Sequence, residues 1–338
     1  MRLQIDVFVR RGAIPESRHR VQAAVVDPAG RLVAGTEHAS GVTTFRSSAK
    51  PFQLLPLVER GHAARWGWTD PQLAVMAASH TGSPAHVELV SGILGRMELT
   101  ERHLACGYHE PRDSVSLAHV RAHPEARSAL YNNCSGKHAG MLCLALSEGW
   151  PLAGYERADH PVQQLMKRTV AETCGVAVDT LEVAVDGCSV SVFGLPLTGM
   201  AAAYARLAAA STDGDARERA LSRIRGAMCG FPRMVGGEGR FSTVLMEETR
   251  GRLVAKGGAE GLQCVGLPGR RLGLALKCED GQARGIAAAT LALLEQLEEL
   301  PSAERERLAR LRRPVIKNHA GLEVGALEAV IRVLSPSS

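Results

Sequence analysis

Hydrophobic and polar positions change period twice along this chain. Between residues 18 and 39, RHRVQAAVVDPAGRLVAGTEHA alternates β-forming and polar residues around Asp27-Pro28-Ala29-Gly30. Period-two runs flanking a short turn predict an amino-terminal hairpin. From about residue 50 to 235 the apolar residues recur at three- and four-residue intervals instead, in PFQLLPLVERG, PQLAVMAASH, PAHVELVSGILGRM, SGKHAGMLCLALSEG, HPVQQLMKRTVAETCG, GMAAAYARLAAA and ARERALSRIRGAMCG. That spacing predicts helices. STDGDARERA, residues 211 to 220, reads as a polar surface loop, and FPRMVGGEGRFST as a glycine-rich one. Strand texture then returns in GRLVAKGGAEGLQCVGLPGRRLGLALKCEDG, followed by a long helix in ARGIAAATLALLEQLEEL and a last strand in GALEAVIRVL.

Strands at both ends with helices between them imply one sheet assembled from the two termini. The expected fold class is α/β, of the α+β type: a single domain over residues 1–338 with a helical lobe, approximately 60–235, inserted between the amino-terminal hairpin and the carboxy-terminal strands.

Composition narrows the function classes. The 338 residues are 45% hydrophobic and 22% charged, ordinary for a globular protein with a large core. No apolar run approaches the roughly 20 residues that span a bilayer, and MRLQIDVFVRRGAIPESRHR has no apolar segment behind its charges. The expectation is a soluble, non-exported protein. Eight cysteines with no CxxC pair are too dilute for a disulfide scaffold and read as free thiols in a reducing compartment. The net charge of +5 comes with only 4% aromatic residues and scattered arginines, which argues against nucleic-acid binding.

Lysine usage is more informative than net charge. Of 40 basic residues only six are lysines, at 50, 137, 167, 256, 277 and 317, so the surface cations are arginines. Arginine stays charged, whereas a lysine amine can be tuned by burial to act as a base. Four of the six, Lys50, Lys137, Lys256 and Lys277, lie in or beside turns rich in Ser, Cys and Gly.

In FRSSAKPFQLLPL, residues 45 to 57, Ser47 and Lys50 are three apart, the spacing that puts two side chains on one helix face. A neutral amine there could take the hydroxyl proton, giving a serine-lysine nucleophile. The plainer alternative is a serine cap with Pro51 in the first turn and a solvated lysine. YNNCSGKHAG repeats the offset with Cys134 and Lys137 and adds His138; a thiol at a helix start beside cations suits a nucleophile or a metal ligand, the alternative being a small buried hydrophobe. In VDGCSVSVFGLPL, Asp186 and Cys188 follow an apolar strand-like run and could join Cys134 around a metal, or form an Asp-Gly turn with a packed cysteine. In AASHTGSPAH, Ser79 and His80 leave a helix and enter a turn. Lys256 ends a strand at Gly257-Gly258, where exposed N–H groups could bind an oxyanion, unless this is an ordinary hairpin with a solvated lysine. FPRMVGGEGRFST lacks phosphate-loop spacing, so nucleotide binding is rejected.

RSSAKPFQ, SHTGSPAH, NNCSGKHAGML, DGCSV and AKGGAEG, in this order over residues 46 to 261, resemble the rhizobial-type L-asparaginase family, also called asparaginase II; more distantly the layout is similar to serine β-lactamases and glutaminases. The resemblance implies a β-lactamase/glutaminase-like fold and hydrolysis of L-asparagine to aspartate and ammonia. It implies Ser47 as the acylated nucleophile with Lys50 as its base, and Ser79 with Lys256 as a second serine-lysine pair. Around a Zn2+ ion it places Cys134, Lys137 and Cys188, with water in the fourth position. Arg46, Asp186 and His138 would contact substrate, and the protein would be a cytoplasmic homodimer. The rivals are the same machinery acting on glutamine or a β-lactam-like amide, and a non-catalytic zinc-binding protein in which Ser47 only caps a helix.

Overall fold

The structure is a computed structural model that describes residues 1–335. Its strands are β1 (Arg2–Arg11), β2 (Ile14–Val26), β3 (Leu32–Thr36), β4 (Val42–Thr44), β5 (Glu182–Val185), β6 (Ser191–Pro196), β7 (Val254–Gly258), β8 (Leu262–Leu267), β9 (Leu272–Cys278), β10 (Val315–Lys317) and β11 (Glu323–Leu334). The chain divides into two compact units, one formed by residues 1–48, 195–209 and 248 onward, the other by residues 49–194 and 210–247.

The first unit holds an eight-stranded sheet in the order β10-β11-β1-β3-β2-β9-β8-β7, with β1 also paired to β2. The expected sheet from both termini is therefore present. β1 and β11 are antiparallel along their length, from Arg2 opposite Leu334 to Arg11 opposite Gly325. The expected hairpin is β2–β3; Asp27 Oδ1 closes its turn by accepting from Ala29 N and Arg31 N, both at 3.0 Å. The helix Leu197–Ala209 lies on β2, β8 and β9, and its approach is so close that a Cβ on Gly273 would sit 2.0 Å from Ala201 O. Leu274, Val265 and Val25, each one residue along from the helix-facing positions and opposite one another in register, are fully buried on the other face of the sheet, each contributing about 1.5–3 kcal/mol of apolar burial.

The expected long carboxy-terminal helix runs Ile286–Gln296 and is followed by a second, Ser302–Arg312, that hydrophobic periodicity does not find, because Leu308 is its one buried residue.

The second unit is helical apart from the antiparallel hairpin β5–β6. Its centre is the helix Lys50–Glu59, buried on every side from Lys50 to Leu57 by the helices Ser135–Glu148, Pro161–Cys174 and Ala216–Gly230. Gly136 is required where the helix Ser135–Glu148 meets the helix Asp70–Met76, since a Cβ there would lie 2.1 Å from Val75 O. Two expected loops are shorter than the sequence suggests. The polar segment 211–220 ends at Asp215, whose carboxylate accepts from Glu218 N at 2.8 Å and caps the helix Ala216–Gly230. The glycine-rich segment after Phe231 contains the short helix Pro232–Gly236, and Phe241 begins another helix. β5, whose valines read as an apolar run, is exposed throughout.

Candidate active site

In the second unit the site is built around Lys50. The 3-10 turn Arg46–Ala49 leads into the helix that begins at Lys50, with Pro51 in its first turn. Ala49 is the cap residue and makes no side-chain cap bond, so neither serine acts as the cap. The solvated-lysine alternative also fails, because Lys50 is 1% exposed. Its Nζ donates to Ala78 O and to Ser79 Oγ at 2.9 Å, and it lies 3.4 Å from Asn133 O and 3.2 Å from Cys134 Sγ. Burial pushes the Lys50 pKa down; the sulfur charge of Cys134 opposes this and the Lys137 cation adds to it, with a net lowering.

Ser79 follows the helix Asp70–Met76, and its N–H donates to Val235 O at 2.9 Å. Gly237, at φ 93°, lets this glycine-rich segment close on the turn after Ser79: a Cβ there would lie 2.3 Å from Thr81 Oγ1.

Beside Lys50 lie two thiols and a second amine. Cys134 precedes the helix Ser135–Glu148, which ends at left-handed Gly149, and Cys188 sits in the turn between β5 and β6. Cys134 is 5% exposed, Lys137 4% and Cys188 3%. Cys134 Sγ donates to Asn133 Oδ1 at 3.0 Å, and Lys137 Nζ donates to Cys188 Sγ at 2.9 Å. Interaction with the neighbouring Cys188 thiol, together with the Lys50 and Lys137 cations, holds the Cys134 thiol well below its ordinary pKa, while the interaction with Cys134 and burial push Cys188 up. Burial works against the Lys137 charge, but the sulfurs of Cys134 and Cys188 outweigh it and raise its pKa. Asp186 is half-buried at the head of that turn, its Oδ2 3.8 Å from Cys188 Sγ and its Oδ1 accepting from Gly187 N at 2.9 Å.

His138 is fully buried. Its Nδ1 meets the Tyr155 hydroxyl at 2.6 Å, and its Nε2 is the one buried side-chain nitrogen or oxygen among the described residues without a hydrogen-bond partner. Burial, and then the Lys137 and Lys50 cations, hold this imidazole neutral. Two converging sulfurs, an amine in contact with one of them and an unpartnered nitrogen on the same helix fit a thiophilic divalent ion such as zinc, with Cys134, Lys137 and Cys188 as its donors.

In the first unit Arg46 adopts φ 42°, a left-handed conformation that costs a non-glycine residue on the order of 1 kcal/mol. Gly258 gives it room, since a Cβ there would lie 3.3 Å from Arg46 Cβ. Ser48 is fully buried and its hydroxyl donates to Lys256 O at 2.9 Å, while Tyr204 donates to Ser48 O at 2.9 Å. These bonds anchor residues 46–48 on β7 and commit the Ser48 hydroxyl to a structural bond, while the neighbouring Ser47 is half-buried. Lys256 is 2% exposed, against the solvated alternative, and its Nζ donates to Gly257 O at 2.9 Å.

Three of the four singled-out lysines are thus buried. Lys277 is not among them; half-exposed, its Nζ donates to Glu260 O and Cys278 O. Several supporting groups carry contacts to which sequence reasoning assigned no role. His80 accepts from Gly82 N at Nδ1, so its Nε2 donates to Ser135 Oγ at 2.9 Å and ties the Ser79 turn to the start of the helix after Cys134. Asn132 uses both ends of its amide, donating to Cys106 O and Gly107 O and accepting from Cys134 N. The pair Asn132-Asn133 was the visible signal for it; Tyr204 had none.

The profile of the family described as L-asparaginase II matches residues 7–329. That match assigns the chain to the amidohydrolases. It belongs to the L-asparaginase II family. Among solved structures it is similar to Mglu in its native form, at 19% identity and a TM-score of 0.46, covering 82% of this chain. Mglu in its glutamate form is similar at 18% identity and a TM-score of 0.45 over 83% of this chain. This chain spans 61% of the length of each of these two Mglu chains. A beta-lactamase from Mycobacterium bovis is similar at 16% identity and a TM-score of 0.39, over 86% of this chain and 95% of that one. No curated protein gives a significant match.

Proposed function

We propose that this chain hydrolyses L-asparagine to L-aspartate and ammonia through an acyl-enzyme on Ser47, with Lys50 as its base. The observation that carries the reading is Lys50 itself: 1% exposed, first in its helix, three residues after Ser47, with burial favouring its neutral amine. Neutral Lys50 takes the Ser47 proton, and the serine oxygen attacks the side-chain amide carbon of asparagine. Backbone N–H groups stabilise the oxyanion. Collapse expels ammonia, which leaves with a proton relayed through Ser79 and Lys256; water then cleaves the ester and releases aspartate. The bond from Lys50 to Ser79 supports such a relay, because it joins the base to a second hydroxyl at 2.9 Å.

Arg46 offers its charge to the substrate carboxylate and Asp186 to the ammonium, with His138 as a third substrate contact. A zinc ion on Cys134, Lys137 and Cys188, when bound, supplies a fixed positive charge that either braces the fold or orients the substrate. The reading takes the protein to work as a cytoplasmic homodimer.

Ammonia release from L-asparagine and L-glutamine, with nitrocefin turnover alongside, tests the substrate. Faster turnover of asparagine is expected. Preference for glutamine or nitrocefin would move the same machinery to another amide, and turnover of none would leave a zinc-binding protein.

A further inference from the structure

A second set of metal-binding side chains converges in the first unit, independently of the reading above. His19 on β2, Cys278 at the end of β9 and Asp280 just beyond it each offer a ligand atom, all within 4.8 Å of one another, the one such group of His, Cys, Asp and Glu among the described residues. Strand register brings them together. β2 and β9 pair antiparallel with Val21 opposite Cys278, so continuing the ladder carries His19 opposite Asp280. Side chains repeat every second residue on a strand, which leaves all three on one face.

The three are already linked. His19 Nδ1 meets Asp280 Oδ2, and Cys278 Sγ donates to Asp280 Oδ1 at 3.1 Å; that oxygen also accepts from Gln282 N at 3.0 Å. Arg284 donates from Nε to His19 Nε2 at 2.8 Å and from Nη2 to Ser17 Oγ at 2.9 Å. An imidazole that accepts at Nε2 carries its proton on Nδ1, so His19 donates to Asp280. His19 is 3% exposed and Cys278 is fully buried, whereas the Asp280 side chain is 42% exposed. The donors are therefore fixed on one side and open to solvent on the other.

We propose that His19 Nδ1, Cys278 Sγ and the Asp280 carboxylate bind a divalent ion of zinc's class, with solvent completing the coordination. Imidazole, thiolate and carboxylate form a borderline donor set of the kind that selects such ions over calcium or magnesium. Donors around a tetrahedral zinc ion lie about 3.5 Å apart, so the set needs to open only slightly from its hydrogen-bonded spacing. The ion takes the place of two shared protons. The Cys278 proton leaves to solvent, and the His19 proton moves from Nδ1 to Nε2, so one proton is released per ion bound. Thiolate and carboxylate then neutralise the dication. With Nε2 now a donor, the Arg284 Nε–H must leave it, and the exposed Arg284 side chain is free to do so. Arg284 closes the site in its metal-free form and competes with the ion.

Cd2+ titration of the full-length chain, followed by sulfur-to-cadmium charge-transfer absorbance and by metal content after desalting, tests this. Wild type is expected to take up one more ion per chain than Cys278→Ser. Asp280→Asn alters an exposed group, so it keeps the test intact if Cys278→Ser folds poorly; it is expected to weaken the additional ion at least tenfold. Arg284→Ala is expected to tighten it severalfold. Equal uptake by wild type, Cys278→Ser and Asp280→Asn would overturn the proposal, as would an Arg284→Ala protein that binds the additional ion no more tightly.

Discussion

Lys50 donates a hydrogen bond to Ser79, with Nζ and Oγ 2.9 Å apart, although the two residues lie 29 positions apart in the chain. The amine also contacts Ala78 O, Asn133 O and Cys134 Sγ, so nearly all of its polar surroundings come from two turns that follow or precede helices. A buried lysine in such a setting is positioned to exchange protons, not to solvate the surface.

Replacing Lys50 distinguishes charge from basicity. Arginine keeps the cation but cannot give up its proton at working pH. Lys50→Arg and Lys50→Met should therefore both lower kcat by about 100- to 10,000-fold, the range of a lost general base. Ammonia release with asparagine saturating reads this, and substantial activity in Lys50→Arg would assign the base to another group.

The same chemistry fixes the sign of the pH dependence. Lys50 acts in its neutral form, and its pKa is lowered from the ordinary 10.5 by burial. The rate should rise with pH as the amine loses its proton and fall on acidification. A kcat/KM profile with its maximum near pH 5 would contradict the assignment.

Zinc content should depend on the two sulfurs and fall in acid, because both thiols and the Lys137 amine must be deprotonated to bind. Cys134→Ser and Cys188→Ser should each lose the ion from this cluster. Elemental analysis after dialysis at pH 8 and pH 5 checks both expectations; zinc unchanged in either variant would remove that cysteine from the ligand set.

Glu148 predicts part of the acid sensitivity of the fold. Hydrogen bonds from Arg60, and to a lesser degree from His62, lower its pKa against the opposing effect of burial, with contacts of 2.5 and 3.0 Å to Arg60 and 2.5 Å to His62. A depressed carboxylate pKa stabilises the native state above the unfolded value, near 4.5, and that stability is lost as pH falls through the folded value. Glu148→Gln should lower the melting temperature at pH 7 and narrow its gap from wild type as pH drops below about 4.5. A gap that stays constant with pH would show that the charge contributes nothing.

Much of this site is legible in the sequence because lysine is scarce. With surface cations supplied by arginine, three of the four lysines found beside Ser, Cys and Gly are the buried ones, Lys50, Lys137 and Lys256. Lys277 shares the same local texture yet is half-exposed, since burial depends on what packs above a strand and not on its neighbours in sequence. The bond from Lys50 to Ser79 is equally invisible, because the resemblance pairs Ser79 with Lys256 and no local pattern reports a contact across 29 residues.

The fold shows the same division. The β2–β3 hairpin is announced by its own turn, and β11 by its alternation. β1 passes unnoticed although it pairs along its length with β11, a partner more than 300 residues away. The helix Ser302–Arg312 buries only Leu308 and so has no apolar stripe to find. Val183 and Val185 mislead in the opposite direction, being 42% and 78% exposed in β5.

The most direct test of the central claim is ammonia release from L-asparagine by wild type and by Ser47→Ala, with zinc content and melting temperature measured on both. The account predicts turnover by wild type and a loss of at least about 1,000-fold in Ser47→Ala, with metal and fold retained. Turnover that survives in Ser47→Ala would place the nucleophile elsewhere and contradict the account.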